Sequence, residues 1–197
     1  MLYVEGPRDR EILESWARRI EPAIARLIEE RTVILGGRQP LRALEDFRKR
    51  GGQPAGWRGL VVLDRDHHDD QAGGDSAPAD LEAEPGLELF VWGLRHIESY
   101  LLVPSAIRRL VAGLEGTEQL DTLLEAELGE ERSLHAKRFL GAGGSLAEAL
   151  GTDLRAGEIA RAMREDELHA DVRRLLERIG SLSGVATPAP EVVIRRS

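Results

Sequence analysis

Two short apolar runs end in acid: Leu2-Tyr3-Val4-Glu5-Gly6, and Gly59-Leu60-Val61-Val62-Leu63-Asp64-Arg65-Asp66. Each reads as a β-strand with carboxylates at its C-terminal end, one glutamate from the first and two alternate aspartates from the second. Strand ends of a parallel α/β sheet open onto a common crevice, and carboxylate oxygens prefer hard cations such as Mg²⁺ or Mn²⁺. The pair therefore predicts an α/β fold with a metal-dependent phosphoryl-transfer site at its strand ends.

Outward from these runs, strands and helices alternate. Gly6-Pro7 turns the chain, and Ile12, Leu13, Trp16, Ala17 and Ile20 mark one face of a helix from Asp9 to Ile20. A second helical stretch, Ala23 to Glu30, precedes the strand Thr32-Val33-Ile34-Leu35, which stops at Gly36-Gly37. Pro40 can open a helix, and Leu41, Leu44 and Phe47 give it an apolar stripe before Gly51-Gly52. The segment His67 to Pro78 is rich in turn formers and charge, and reads as a mobile loop beside the strand-end acids. Leu87 to Trp92 reads as a fourth strand. From Pro104 the pattern becomes helical, at Ile107, Leu110, Val111 and Leu114 and again from Ile159 to Ile179. The expected organisation is an α/β domain over residues 1–103, a helical appendage over 104–184 and a tail over 185–197.

Composition narrows the chemistry. The 197 residues, 42% hydrophobic, suffice for a packed core. With no cysteine, disulfides, thiolate catalysis and iron–sulfur clusters are excluded. No apolar run approaches the roughly 18 to 20 residues that cross a bilayer, so a cytoplasmic protein without membrane contact is expected. The net charge of −8 disfavours a binder that relies on a broad basic surface, although cations on an acidic cluster would cancel part of it. Of 27 basic residues only Lys49 and Lys137 are lysine.

Each candidate residue also has a plainer reading. Aspartates after a strand, such as Asp64 and Asp66, are common in turns and caps. Glu5 argues more strongly for a ligand role, since a glutamate closing an apolar run is expensive to bury unless paired or metal-bound. Asp9 either favours the N-terminus of the first helix or reaches the same crevice. Glu98 is a helix-start acid or a further ligand, and Arg95 pairs with an acid or contacts phosphate. His67 and His68 fit solvated loop residues better than ligands, and His135 and His169 have no partner readable from sequence. Gly36-Gly37 and Gly141 to Gly144 are turns, because neither fits a Walker phosphate loop. No serine-hydrolase elbow or zinc-peptidase helix occurs.

Taken together, Tyr3-Val4-Glu5-Gly6-Pro7-Arg8-Asp9, Leu63-Asp64-Arg65-Asp66 and Arg95-His96-Ile97-Glu98-Ser99-Tyr100-Leu101-Leu102 resemble the Toprim domain, and within it the OLD (overcoming lysogenisation defect) nucleases. The resemblance covers residues 2–103 most firmly. It implies a mostly parallel sheet flanked by helices and a nuclease that cleaves DNA with two Mg²⁺ or Mn²⁺ ions. Those ions would be held by Glu5, Asp9, Asp64, Asp66 and Glu98. It also implies a basic residue near the scissile phosphate, for which Lys137 is the better lysine, although Ala136 stands where the family often has glycine. OLD proteins join an ABC-type ATPase to this nuclease, so such a domain is an expected partner, and a homo-oligomer of the full-length protein is an open expectation. Lacking a Walker motif, the chain resembles their C-terminal region alone.

These readings lead to a metal-dependent endonuclease in which the five carboxylates anchor two ions and Lys137 offsets charge on the phosphate. Two alternatives stay open: a Toprim-fold binding or dimerisation module without catalysis, and another Toprim enzyme such as a topoisomerase or primase. Tyr3 and Tyr100 are the only tyrosines, and both fall in the apolar core pattern, which disfavours a topoisomerase nucleophile.

Overall fold

Four strands are present among the described residues: β1 (Leu2–Val4), β2 (Thr32–Ile34), β3 (Gly59–Leu63) and β4 (Leu87–Val91). They form one sheet in the order β2-β1-β3-β4, with every neighbouring pair parallel. The computed structural model describes residues 1–65, 81, 83–112, 120–127, 136–141 and 143–183. Asp66, His67, His68 and the tail over 185–197 lie outside these.

Parallel neighbours require crossovers, which helices supply. Helices α1 (Pro7–Ile20) and α2 (Pro22–Arg31) lead from β1 to β2, and α3 (Pro40–Lys49) lies between β2 and β3. The chain moves from β1 to one side, then returns past β1 to place β3 and β4 on the other. This reversal makes the C-terminal ends of β1 and β3 the switch point, where α/β sheets open a crevice.

Side-chain alternation divides the core into two layers. Leu2, Val4, Leu60, Val62 and Phe90 pack with Ile12, Leu13 and Trp16 of α1 and Ile24 and Ile28 of α2. Tyr3, Val61, Leu63 and Leu87 pack with Ala43, Leu44 and Phe47 of α3. Burial on both faces explains why β3 is apolar throughout.

The later helices are α4 (Pro104–Val111), α5 (Leu120–Glu127), α6 (Ala136–Phe139), α7 (Ser145–Leu150), α8 (Ala156–Ala162) and α9 (Ala170–Ser183). Their apolar residues, among them Ile107, Phe139, Ile159 and Leu175, join the same cluster as Leu2 and Val62. Helix α8 lies against α1 and α4, and α9 against α2. The sheet and the helical part thus share one core layer.

Two boundaries differ from the sequence expectation. Helix α1 begins at Pro7, a favoured first helical position, with Asp9 accepting the N–H of Gly6 at 2.8 Å. The apolar spacing from Ile159 to Ile179 is split after Ala162, because Arg109 Nη2 donates to the Ala162 carbonyl at 2.8 Å and Arg109 also grips Glu167. A guanidinium on the last carbonyls ends a helix that periodicity alone would continue.

Within the layer shared by the sheet and the later helices, Trp16 links the two. Its ring meets Trp92 edge-on at 6.4 Å, and its Nε1–H points to Met163 Sδ at 3.2 Å. Trp16→Ala is expected to destabilise the fold by about 3–5 kcal/mol, read as a lower urea midpoint. An unchanged midpoint would show that the helices after residue 103 do not depend on this contact.

Candidate functional site

The switch point carries acids from both strands. Glu5 follows β1 and Asp64 follows β3, and Glu5 Oε1 accepts the backbone N–H of Asp64 at 2.8 Å. The loop after β2 braces both strand ends. Gly36 and Gly37 each donate a backbone N–H to the Glu5 carbonyl at 2.9 Å. Their φ angles of 81° and 122° are open to glycine and unfavourable for other residues, so the pair can fold successive amides around one oxygen. Arg38, next in sequence, donates to the Asp64 carbonyl.

The third acidic element completes the surroundings of Asp64. Beyond β4 the chain bends and enters a 3-10 helix, Ile97–Leu101. Ile97 N–H donates to Asp64 Oδ1 at 3.0 Å, and His96 Nδ1 lies 3.2 Å from Oδ2. Glu98, only 3% exposed, has Oε1 at 3.6 Å from Arg8 Nη1. Its Oε2 is buried and has no hydrogen-bond partner among the described residues. Arg8 also donates to the Leu140 carbonyl at 3.0 Å.

Electrostatics ties Asp9 to this group. Burial pushes its carboxyl up to about 7, the bond from Gly6 opposes the rise, and the negative charges of Asp64, Glu98 and Glu5 add to it. Four carboxylates therefore share one region, the crowding expected at a functional site. Among the described residues, however, no three acidic or histidine side chains converge closely enough to hold one ion as they stand. Asp9 is turned to Gly6, Asp64 to Ile97 and His96, and Glu98 to Arg8. Each acid is engaged by a local donor. As a donor set these oxygens suit a hard cation, and Glu98 Oε2 is a buried acceptor without a hydrogen-bond donor among the described residues.

The other candidates are placed less fully. Asp66 lies outside the described residues, as do His67, His68 and His135. Lys137 belongs to α6, which packs against the 3-10 helix bearing Glu98, but its side chain is outside the described atoms. Arg95 sits in the bend before Ile97, and Lys49 is exposed on α3. His169 accepts the N–H of Asp171 at its Nδ1. Sequence reasoning missed His96, Arg8 and Arg38 as partners of the acids. His96 stands two residues before Glu98 and Arg8 directly before Asp9, so adjacency was the available signal; Arg38 offered none.

These features define an α/β protein with a parallel sheet and acids gathered where its strand order reverses. Solved structures that share this fold include two OLD C-terminal regions. The C-terminal region of the Xanthomonas campestris pv. campestris OLD protein is 18% identical, covering 92% of this chain and 94% of that chain, with a TM-score of 0.51. The C-terminal region of the Burkholderia pseudomallei OLD protein is 19% identical, covering 91% and 96%, also with a TM-score of 0.51. No protein-family model and no curated protein matches the chain. Among the described residues no helix is long and apolar enough to cross a membrane.

The Asp9 environment predicts a pH effect. Its folded value of about 7 lies above the ordinary 3.8, so the fold holds this proton more tightly than the unfolded chain does. The stability this contributes is fully present below the ordinary value and is lost as pH rises through about 7. Asp9→Asn, which keeps an acceptor for Gly6, is expected to remove that decline and to be the more stable protein at alkaline pH. Urea midpoints across the window check this, and parallel pH profiles for the two proteins would contradict it.

Proposed function

We propose that this chain is a divalent-cation-dependent DNA endonuclease, the nuclease region of a cytoplasmic protein that also carries an ABC-type ATPase. The observation that carries this reading is the gathering of Glu5, Asp9, Asp64 and Glu98 at the β1/β3 switch point, with Glu98 Oε2 buried and without a donor. The fold shared with the OLD C-terminal regions and the motif resemblance support it.

Glu5, Asp9, Asp64, Asp66 and Glu98 would hold two Mg²⁺ or Mn²⁺ ions, which supply Lewis acidity and a nucleophilic hydroxide near neutral pH. The chain's own residues prepare the site. Backbone amides orient Glu5 and Asp64, and the acids would turn from their present donors toward the ions on binding. His96 steadies the second oxygen of Asp64, and Arg8 offsets part of the buried charge of Glu98. Asp9 would give up its proton at neutral pH to become a ligand. Lys137 would offset negative charge developing on the scissile phosphate. A second reading, a binding or dimerisation platform without catalysis, is favoured by the internal contacts that already engage Glu5, Asp9, Asp64 and one oxygen of Glu98.

Plasmid nicking separates the two. Wild-type protein should nick DNA in Mg²⁺ or Mn²⁺ and stop on chelation. Asp66→Ala and Glu5→Gln should each lower the rate by about a thousandfold or more, about 4 kcal/mol of transition-state stabilisation, while remaining folded by circular dichroism. Full activity in folded Asp66→Ala would sink the assignment, and an inactive wild type in both metals would favour the platform.

A further inference from the structure

The segment carrying His96, Ile97 and Glu98 supplies much of the surroundings of the acid cluster, yet between Trp92 and His96 it belongs to no strand or helix. Its anchor lies in the helical part. Tyr100 Oη accepts the backbone N–H of Leu94 at 2.8 Å and donates to Asp171 Oδ2 at 2.7 Å. One hydroxyl thereby ties both ends of the 94–100 segment to the first turn of α9.

Asp171 is itself held firmly. Its Oδ1 accepts from Arg174 Nη2 at 2.6 Å, and its own N–H donates to His169 Nδ1 at 3.1 Å. The His169 ring meets Tyr100 edge-on at 5.1 Å, and Trp92 flanks Tyr100 at 4.8 Å. Gly93 permits the close approach, since a Cβ there would lie 2.6 Å from Asp171 Oδ2. An aspartate serving only the N-terminus of a helix has no need of a buried phenol from another element.

We infer that Asp171 is a positioning residue for the acid cluster: through the Tyr100 hydroxyl it fixes the loop that presents Glu98 and aims the Ile97 N–H at Asp64. The helical part is therefore required for the geometry of a site whose acids all come from outside it. Any effect of Asp171 on catalysis rests on the proposed nuclease function.

Amide hydrogen exchange tests the geometry without catalysis. The Ile97 N–H donates to Asp64 Oδ1 and takes no part in the Tyr100–Asp171 hydrogen bond, so it reports transmitted order. In Tyr100→Phe and Asp171→Ala it should exchange at least about tenfold faster, with the amides of β1 and β3 unchanged. Asp171→Asn, which keeps an acceptor, should restore most of the protection. Wild-type exchange at Ile97 in folded Tyr100→Phe would overturn the inference, as would equal acceleration in β1 and β3, the mark of general destabilisation. If Asp171→Ala does not fold, Tyr100→Phe decides. Loss of the nuclease reading would appear separately, as an inactive wild type. Where wild type cleaves DNA, Tyr100→Phe should raise the half-saturating Mn²⁺ concentration, and an unchanged value would count against the inference.

Discussion

The bond from the Asp64 amide to the Glu5 carboxylate is the contact on which the site depends. The pairing of β1 with β3 ends at Tyr3 and Val61, and this bond keeps the acid-bearing ends of the two strands together across the switch point. Gly36 and Gly37 hold the Glu5 carbonyl from the β2 side, while Ile97 and His96 hold the Asp64 carboxylate from the β4 side. All four strands therefore contribute, directly or through the loops that follow them, to the placement of two side chains.

Such crowding is unfavourable by itself. Acids brought together away from water repel one another and lose hydration, and Asp9 responds by keeping its proton toward neutral pH. Arg8 offsets Glu98 only in part, leaving one buried oxygen without a donor. Structure that concentrates unfavourable electrostatics in one place, braced by backbone amides and glycines, fits a site built for a positive ligand better than one built for stability.

Much of this frame could be read from the sequence because its determinants are local. Apolar runs ending in Glu5 and Asp64 mark buried parallel strands, and Pro7, Pro40 and the glycine pairs mark element ends. Asp9 and Glu98 belong to short motifs and were also legible as candidates. The partners were not, because they arise from long-range packing. Arg8 reaches a carbonyl 132 residues away, and Tyr100 meets an aspartate 71 residues away. Neither distance leaves a periodic trace, so Asp171 looks like an ordinary first-turn acid. The split between α8 and α9 was hidden for the same reason, since Arg109 ends the helix from a distant element.

If these carboxylates form a divalent-cation site, as proposed, Mn²⁺ bound there will broaden nearby amide resonances by its paramagnetism. In an amide spectrum of the wild-type chain, substoichiometric Mn²⁺ should first broaden the resonances of Gly6, Asp64 and Ile97, whose N–H groups bond to the acids. Glu5→Gln should shift that broadening to higher Mn²⁺ concentration. If those three resonances stay sharp while amides near the exposed acids Glu165 and Asp166 broaden, the crevice is not a cation site and the account is wrong.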